Sequence, residues 1–513
     1  MKTGTTLVPE KSFAHRGITF AVMLATVMQA LDATIANVAL PHMQGSFAAT
    51  QDQMIWVLTS YIVAAAIAIP LVGWLAGYVG RKLVFLVSIA GFTIASILCG
   101  MAENLQEMVI FRLLQGICGA ALVPLSQAIL FDINRRENFG KAMALWGVGV
   151  TIGPILGPAL GGWLTENYNW RWVFYINVPI GIIAFAGIYM LLPESSTHKK
   201  RFDFFGFITL SCGVGGLQML LDRGEFKNWF DSTEIIIEAI IAVLGLYLFV
   251  VHTLSYKRPF LNVKLFEDRN FLISNILIFV IGIILFATLA LIPPMLQNQL
   301  NYPVVIAGLV IAPRGIGTMI AMFIVGRLVG RVDSRLIMAA GLLITAFSLY
   351  QMANYSLLTD MWAVISAGLI QGFGIGLTYV TLSTVAFSTL PARLRNEGTA
   401  FFNLLRNLGS SIGISIMQIF LTRNTQIVHA VLGENLVPYN ISANMAYAAN
   451  HIDISTTAGL MALNAMLTDQ AMMVAYIDDY KFMMLVSLAV LPLLFLLRIP
   501  KRDKSTIEPI IMD

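Results

Sequence analysis

Apolar stretches of membrane-crossing length alternate with short polar turns along nearly the whole chain. Fourteen are found, at about 17–39, 54–77, 83–101, 107–131, 141–163, 172–192, 204–221, 234–254, 271–292, 304–327, 335–353, 361–390, 398–421 and 480–498. About 20 apolar residues let an α-helix cross a hydrocarbon core. Backbone groups find no water partners in lipid, so such a stretch must be helical. The twelfth is long enough to tilt or to run past the interface. The pattern predicts an all-α polytopic membrane protein.

The polar turns orient it. With the N-terminus inside, the inner turns hold Arg81, Lys82, Arg135, Arg136, Lys141, Lys199, Lys200, Arg201, Lys257, Arg258, Lys264, Arg269, Arg331, Arg335, Arg393 and Arg395. The C-terminal tail adds Arg498, Lys501, Arg502 and Lys504. Roughly 24 of the 32 basic residues are then cytoplasmic, as the positive-inside bias requires; the opposite orientation reverses the ratio. Both ends, 1–16 and 499–513, are expected in the cytoplasm. The start lacks a small-residue cleavage site, so the first span reads as an uncleaved anchor. One long loop, 422–479, is expected outside. It is either a surface excursion, with an amphipathic helix near 465–473, or a docking element for another protein.

Composition narrows the function. The chain is 58% apolar and 12% charged, about half the charge of roughly 25% found in soluble domains. No acidic or basic domain and no nucleic-acid module stands out. Cys99, Cys118 and Cys212 lie inside apolar spans without CxxC spacing and read as packing residues. The six histidines are dispersed, which leaves no metal cluster and no nucleophile–base set for an enzyme. An ATP-driven pump needs a phosphate cradle such as GxxxxGK[ST], and the sequence has none. No cofactor and no metal are expected.

Two halves repeat. Gly-Trp-Leu-Ala-Gly-Tyr-Val-Gly-Arg-Lys at 73–82 is echoed by Gly-Arg-Leu-Val-Gly-Arg-Val-Asp-Ser-Arg at 326–335. Leu-Leu-Gln-Gly at 113–116 is echoed by Leu-Ile-Gln-Gly at 369–372, and Gly149 and Gly153 by Gly409 and Gly413. Six spans (17–192) therefore match six (261–498), and a linker, 193–260, carries two extra spans. Repeated halves with a site between them are a transporter architecture.

These residues carry a family resemblance. Leu31-Asp32-Ala33-Thr34-Ile35-Ala36-Asn37-Val38-Ala39-Leu40-Pro41 stands in span 1, the segment from Gly73 to Lys82 follows span 2, and Arg112-Leu-Leu-Gln115-Gly116 is in span 4. Span 5 holds Gly149-Val-Thr-Ile-Gly153-Pro154-Ile-Leu-Gly157-Pro158-Ala-Leu-Gly161-Gly162. Trp170 to Pro179 leads into span 6, and Leu221-Asp222-Arg223-Gly224 closes span 7. The chain resembles the major facilitator superfamily in its fourteen-span drug:proton antiporter branch, of the EmrB/QacA type and nearer to EmrB. The resemblance implies the fold, proton coupling and multidrug efflux of hydrophobic compounds across a bacterial inner membrane. It also implies a periplasmic adaptor of the EmrA type and an outer-membrane channel as partners. In the loop after span 2, Gly77 and its repeat equivalent Gly330 stand where the family usually carries an acid.

Ionisable groups deep in a span are costly and usually functional. Asp32 and Arg112 are the candidates for proton coupling. Gln29 and Ala36 share the face of Asp32, which suggests a water-lined cavity; the plainer reading makes Asp32 a partner for a buried base. Gly368 falls where the repeat would place a second Arg112, and this asymmetry favours a functional arginine. Gly149, Gly153, Gly157 and Gly161, with Pro154 and Pro158, form a close-packing seam expected against span 10. Gly73, Gly77, Arg81, Lys82 and Asp132 are the candidate cytoplasmic gate, with Arg81 and Asp132 as a latch. Gln29, Asn37, Trp56, Tyr61, Gln115, Gln127, Phe286 and Tyr379 are candidate cavity residues. Arg314 and Arg406 are carbonyl anchors or substrate contacts, and Glu238 lies nearer a span end. The favoured reading is a proton-coupled antiporter exporting small hydrophobic substrates. A symporter or importer, or a single-substrate exporter, on the same fold is the alternative.

Overall fold

The computed structural model describes residues 13–194, 197, 201–224, 227–256, 259–391, 394–434 and 456–498. Most of the two expected cytoplasmic tails, and the basic residues Lys199, Lys200, Lys257, Arg258, Arg393, Lys501, Arg502 and Lys504, lie outside them. The first half comprises α1 (Phe13–Phe47), α2 (Gln51–Tyr78), α3 (Arg81–Met101), α4 (Leu105–Gly119), α5 (Leu122–Ile133), α6 (Phe139–Asn167), the single turn α7 (Trp172–Tyr175) and α8 (Asn177–Leu191). The two extra helices are α9 (Phe204–Arg223) and α10 (Thr233–Ser255). The second half comprises α11 (Arg269–Pro294), α12 (Val304–Leu328), α13 (Ser334–Met352), α14 (Met361–Ser388), α15 (Arg395–Glu434) and α16 (Thr457–Ala489). By length and composition, thirteen helical segments among the described residues qualify as membrane spans. α6 packs between α1 and α12 as a further member of the bundle.

Local chemistry sets several boundaries. Thr50 and Gln53 form a reciprocal capping box at the start of α2, satisfying two orphan amides. Asn104, Asp268 and Thr456 cap α4, α11 and α16 through their side chains. Gly80 turns the chain between α2 and α3 with φ +102°, a conformation open to glycine and strained for other residues.

Three expectations are corrected. Span 4 is two helices, α4 and α5, because the ring of Pro124 obstructs the carbonyl of Ala120 and Pro124 has no amide to donate. α6, by contrast, runs unbroken through Pro154 and Pro158. The segment 422–479 is mostly helix: α15 continues to Glu434 and α16 begins at Thr457, leaving 435–455 outside the described residues. The glycine seam faces α1 and not span 10. A Cβ on Gly149 would meet Met23, on Gly153 the backbone of Ala30, and on Gly157 the side chain of Thr34. Thr34 also donates from Oγ1 to the Gly153 carbonyl at 3.1 Å. Spacing by four keeps these glycines on one ridge. A second ridge of α6 meets α12: Gly140 abuts Val329, and Gly147 abuts Met322.

α9 and α10 pack glycine to glycine through Gly213 and Gly245, and α10 turns Val243, Leu244, Tyr247 and Leu254 outward, a surface suited to lipid. α9 leans on the second half, where Ser411 donates to Gln218 Oε1 at 2.9 Å.

Candidate functional site

Asp32 of α1 and Arg112 of α4 meet inside the first half. Arg112 Nη1 donates to Asp32 Oδ2 at 2.7 Å. The other oxygen, Oδ1, accepts from Gln115 Nε2 at 2.9 Å and from Asn177 Nδ2 at 3.0 Å. Arg112 also donates from Nε to the Val57 carbonyl at 3.1 Å and from Nη1 to Gln115 Oε1 at 2.8 Å. Ser96 joins the set: its Oγ accepts from Gln115 and Asn177 and donates to the Phe174 carbonyl at 2.9 Å. The guanidinium carbon lies 4.3 Å from the ring centre of Tyr61, within cation–π range.

All five polar side chains are buried, Asp32 at 0% and Arg112 at 1% exposure. The expected water-lined face is therefore corrected. Asp32 and Ala36 are fully enclosed, and Gln29 donates to the Tyr61 hydroxyl at 3.2 Å. A buried ion pair is sustained only when its remaining lone pairs and protons are hydrogen-bonded, and three donors on one carboxylate meet that condition. The arrangement ties α1, α4 and α8 together through one carboxylate.

The second cluster lies where the basic turns meet. Asp132, at the end of α5, pairs with Arg81 of α3 and accepts from Arg395 Nη1 of α15 at 3.0 Å. Arg395 also lies over the ring of Phe139, 5.2 Å from its centre. Nearby, Asn403 of α15 donates to Gln127 Oε1 of α5 at 3.1 Å, and Tyr379 of α14 stacks on Trp146 of α6 at 6.1 Å. A Cβ on Gly73 would press on the backbone of Glu397. These contacts join the two halves at the end that carries the basic turns. Gly77 faces open space; the carboxylate that reaches Arg81 comes from Asp132. Lys82 turns away, over the ring of Tyr189 at 5.8 Å.

Other candidates are placed separately. Arg223 lies over the Trp56 ring at 4.5 Å and pairs with Glu238 at 3.3 Å, so Glu238 serves the α9–α10 pair. Arg406 donates to the Tyr379 hydroxyl at 2.9 Å. Arg314 is enclosed between α11, α12 and α14 and donates to the Leu285 carbonyl at 3.1 Å. Phe286 is half-buried on α11. Gly161 is buried on α6 and accepts at its carbonyl from Thr165 at 2.6 Å. The side chains of Asn37, Pro154 and Pro158 fall outside what the structure describes. Sequence reasoning missed Ser96, Asn177, Arg395 and Asn403. Asn177 stood in a motif already singled out; Ser96 and Asn403 are polar residues in apolar spans, a signal too common to select them. Among the described residues no three His, Cys, Asp or Glu gather as metal ligands.

Comparison with known proteins agrees with this architecture. A model of the Major Facilitator Superfamily matches residues 22–414. The chain is 35% identical over 497 residues to the fatty acid resistance protein FarB of Neisseria gonorrhoeae, covering 96% of this chain and 98% of that protein. It is 38% identical over 434 residues to the multidrug export protein EmrB of Escherichia coli strain K12, covering 84% and 85%. The solved human organic anion transporter MFSD10 has a similar fold, with a TM-score of 0.61 at 12% identity over 94% of this chain and 99% of that one.

Proposed function

The chain belongs to the Major Facilitator Superfamily, and on that premise we propose that it is a proton-coupled multidrug exporter of hydrophobic compounds. It works in a bacterial inner membrane with both termini in the cytoplasm, and the proton gradient drives it without a cofactor. The observation that carries the reading is the enclosed Asp32–Arg112 pair on a helix that leads to the latch. α4 holds Arg112 and Gln115; beyond the break at Ala120 and Ala121, α5 holds Gln127 and Asp132.

Protonation of Asp32 removes the counter-ion of Arg112 and weakens the bonds from Gln115 and Asn177. α4 and α1 then repack, and α1 is the helix locked to α6 by the Gly153–Ala30 approach. Movement of α4 is passed to α5, whose Asp132 and Gln127 hold the two halves together. The contacts between the halves at that end support a conformation closed on the side proposed as cytoplasmic. Export is favoured over import because the relatives are named for export and resistance. Everted vesicles energised by respiration are expected to accumulate a labelled hydrophobic substrate and to acidify less when it is added. Uptake by intact energised cells in place of this would establish the importer.

An adaptor would dock on the hairpin made by the ends of α15 and α16. At about 1.5 Å per residue, the 40 residues of α15 reach roughly 60 Å, twice a hydrocarbon core of about 30 Å. His429 contacts Asn464 at 3.1 Å across the hairpin, and Ile427, Val431, Leu460 and Met461 are exposed on it. Removing 424–466 and joining the ends by a short Gly/Ser linker should abolish export from cells that retain an outer membrane. Transport in vesicles should persist; unchanged cellular export would refute the docking role.

A further inference from the structure

The second half repeats the polar cluster of the first with one member changed. Gln371 matches Gln115 in the repeat, and the same offset carried to α11 sets Thr288 opposite Asp32. The contacts agree: Gln115 donates to Asp32 at 2.9 Å, and Gln371 donates to Thr288 Oγ1 at 3.5 Å. Gly116 packs against the Tyr61 carbonyl and Gly372 against the Arg314 carbonyl, so Arg314 takes the place of Tyr61. Gly368, at the position of Arg112, leaves the space; a Cβ there would lie 3.7 Å from Arg314 Cβ. The cation has moved from α14 to α12, and the carboxylate has become a hydroxyl.

Arg314 is 5% exposed. Its Nη2 donates to the Leu285 carbonyl and to Thr288 Oγ1 at 3.3 Å, while its buried Nη1 has no partner. Among the described residues no carboxylate pairs with it. A buried charge without a counter-ion is strongly unfavourable, and a free guanidinium N–H is a strong donor to a carboxylate. We propose that Arg314, with Thr288 and Gln371, binds the anionic head group of a carboxylate amphiphile as a specificity-determining site of the second half. The proposal deepens the exporter reading and rests on it for the role of the ligand as substrate. Ile284, Ala287 and Leu291 of α11 and Val310 of α12 belong to the apolar core of the same half.

The test measures binding of labelled dodecanoate to the full chain in phosphatidylcholine nanodiscs, corrected for empty discs. Dodecanol and dodecyltrimethylammonium serve as uncharged and cationic competitors. Dodecanoate is expected to bind, and both competitors to displace it poorly. Arg314→Gln should weaken binding by about 10-fold or more, the scale of one hydrogen bond to a charged group. Thr288→Asp supplies the missing counter-ion from within, as Asp32 does in the first half. It should abolish dodecanoate binding in a protein at least as stable as the parent, which covers the case in which Arg314→Gln fails to fold. Absent binding, binding unchanged in Thr288→Asp, or equal displacement by dodecanol would overturn the proposal. Displacement by phosphatidylglycerol included in the discs would assign the site to lipid and overturn it too. Dodecanoate that binds as expected but is not moved across vesicles would count against export and leave the site standing.

Discussion

Asp32→Asn is expected to give a folded protein that binds substrate and releases no proton on doing so. Asn keeps the shape of Asp and one acceptor, so Arg112 retains a partner there. It also keeps the Val57 carbonyl, Gln115 Oε1 and the face of Tyr61. What is lost is acceptance by a charged oxygen, and an amide N–H₂ now meets the donors of Gln115 and Asn177. The cost is about 1.5–3 kcal/mol, the value of a hydrogen bond to a charged group, and less than the roughly 3–5 kcal/mol of a buried charge left with no partner. Arg112→Ala incurs that larger loss and should lower abundance. On the proposed coupling, protons and substrate act on one carboxylate in the parent, so substrate is expected to bind more tightly as pH rises. In Asp32→Asn that slope should vanish. Proton release of parental size from a monodisperse Asp32→Asn protein, followed in weak buffer on substrate addition, would sink the assignment. Asp222, half-buried on α9 with one oxygen unpartnered, would then be the group to test.

Much of this was legible in the sequence because lipid leaves a helix few options. Hydropathy gave the spans, the basic turns gave their grouping at one end, and the depth of Asp32 and Arg112 in spans 1 and 4 brought them to one level. The sequence did not disclose which neighbour each face meets. The Gly149–Gly157 ridge was expected on α12; it lies on α1, because helix period defines a ridge and tertiary packing chooses its partner. Nor did it disclose that the site is enclosed, since Gln29 and Ala36 fit a wet face as well as a packed one. The argument that a lone Arg112 marked an asymmetry also changes: the second half does carry a buried arginine, moved one helix over to Arg314. A repeat read position by position misses a charge that shifts between helices while staying in the same volume. Arg395 was counted only as a basic residue of an inner turn, because its carboxylate partner lies 263 positions away.

Asp132→Ala is expected to shift the protein toward a state open at the basic end. Asp132 receives Arg81 from its own half and Arg395 from the other. Its side chain is 22% exposed, so removal does not orphan a fully buried charge and the fold should survive. The closed state loses charge-assisted bonds and is left with two facing arginines. Partial exposure discounts the pair, which puts the loss at about 1–3 kcal/mol, or roughly 5- to 150-fold in the equilibrium between states. Spin labels on Lys141→Cys and Arg331→Cys, both exposed at that end, should report one short distance in a background lacking Cys99, Cys118 and Cys212. In Asp132→Ala the distribution should broaden and lengthen. An unchanged distribution would mean that Gln127–Asn403 and the α6–α12 packing hold the end alone. The two arginines separate latch from local structure. Arg395→Gln cuts the link between the halves and should mimic Asp132→Ala. Arg81→Gln leaves Asp132 paired with Arg395 and should keep the short distance. If Arg81→Gln opened the end as far as Arg395→Gln, the pair with Arg81 would be holding α5 in place, and the latch would belong to the first half alone.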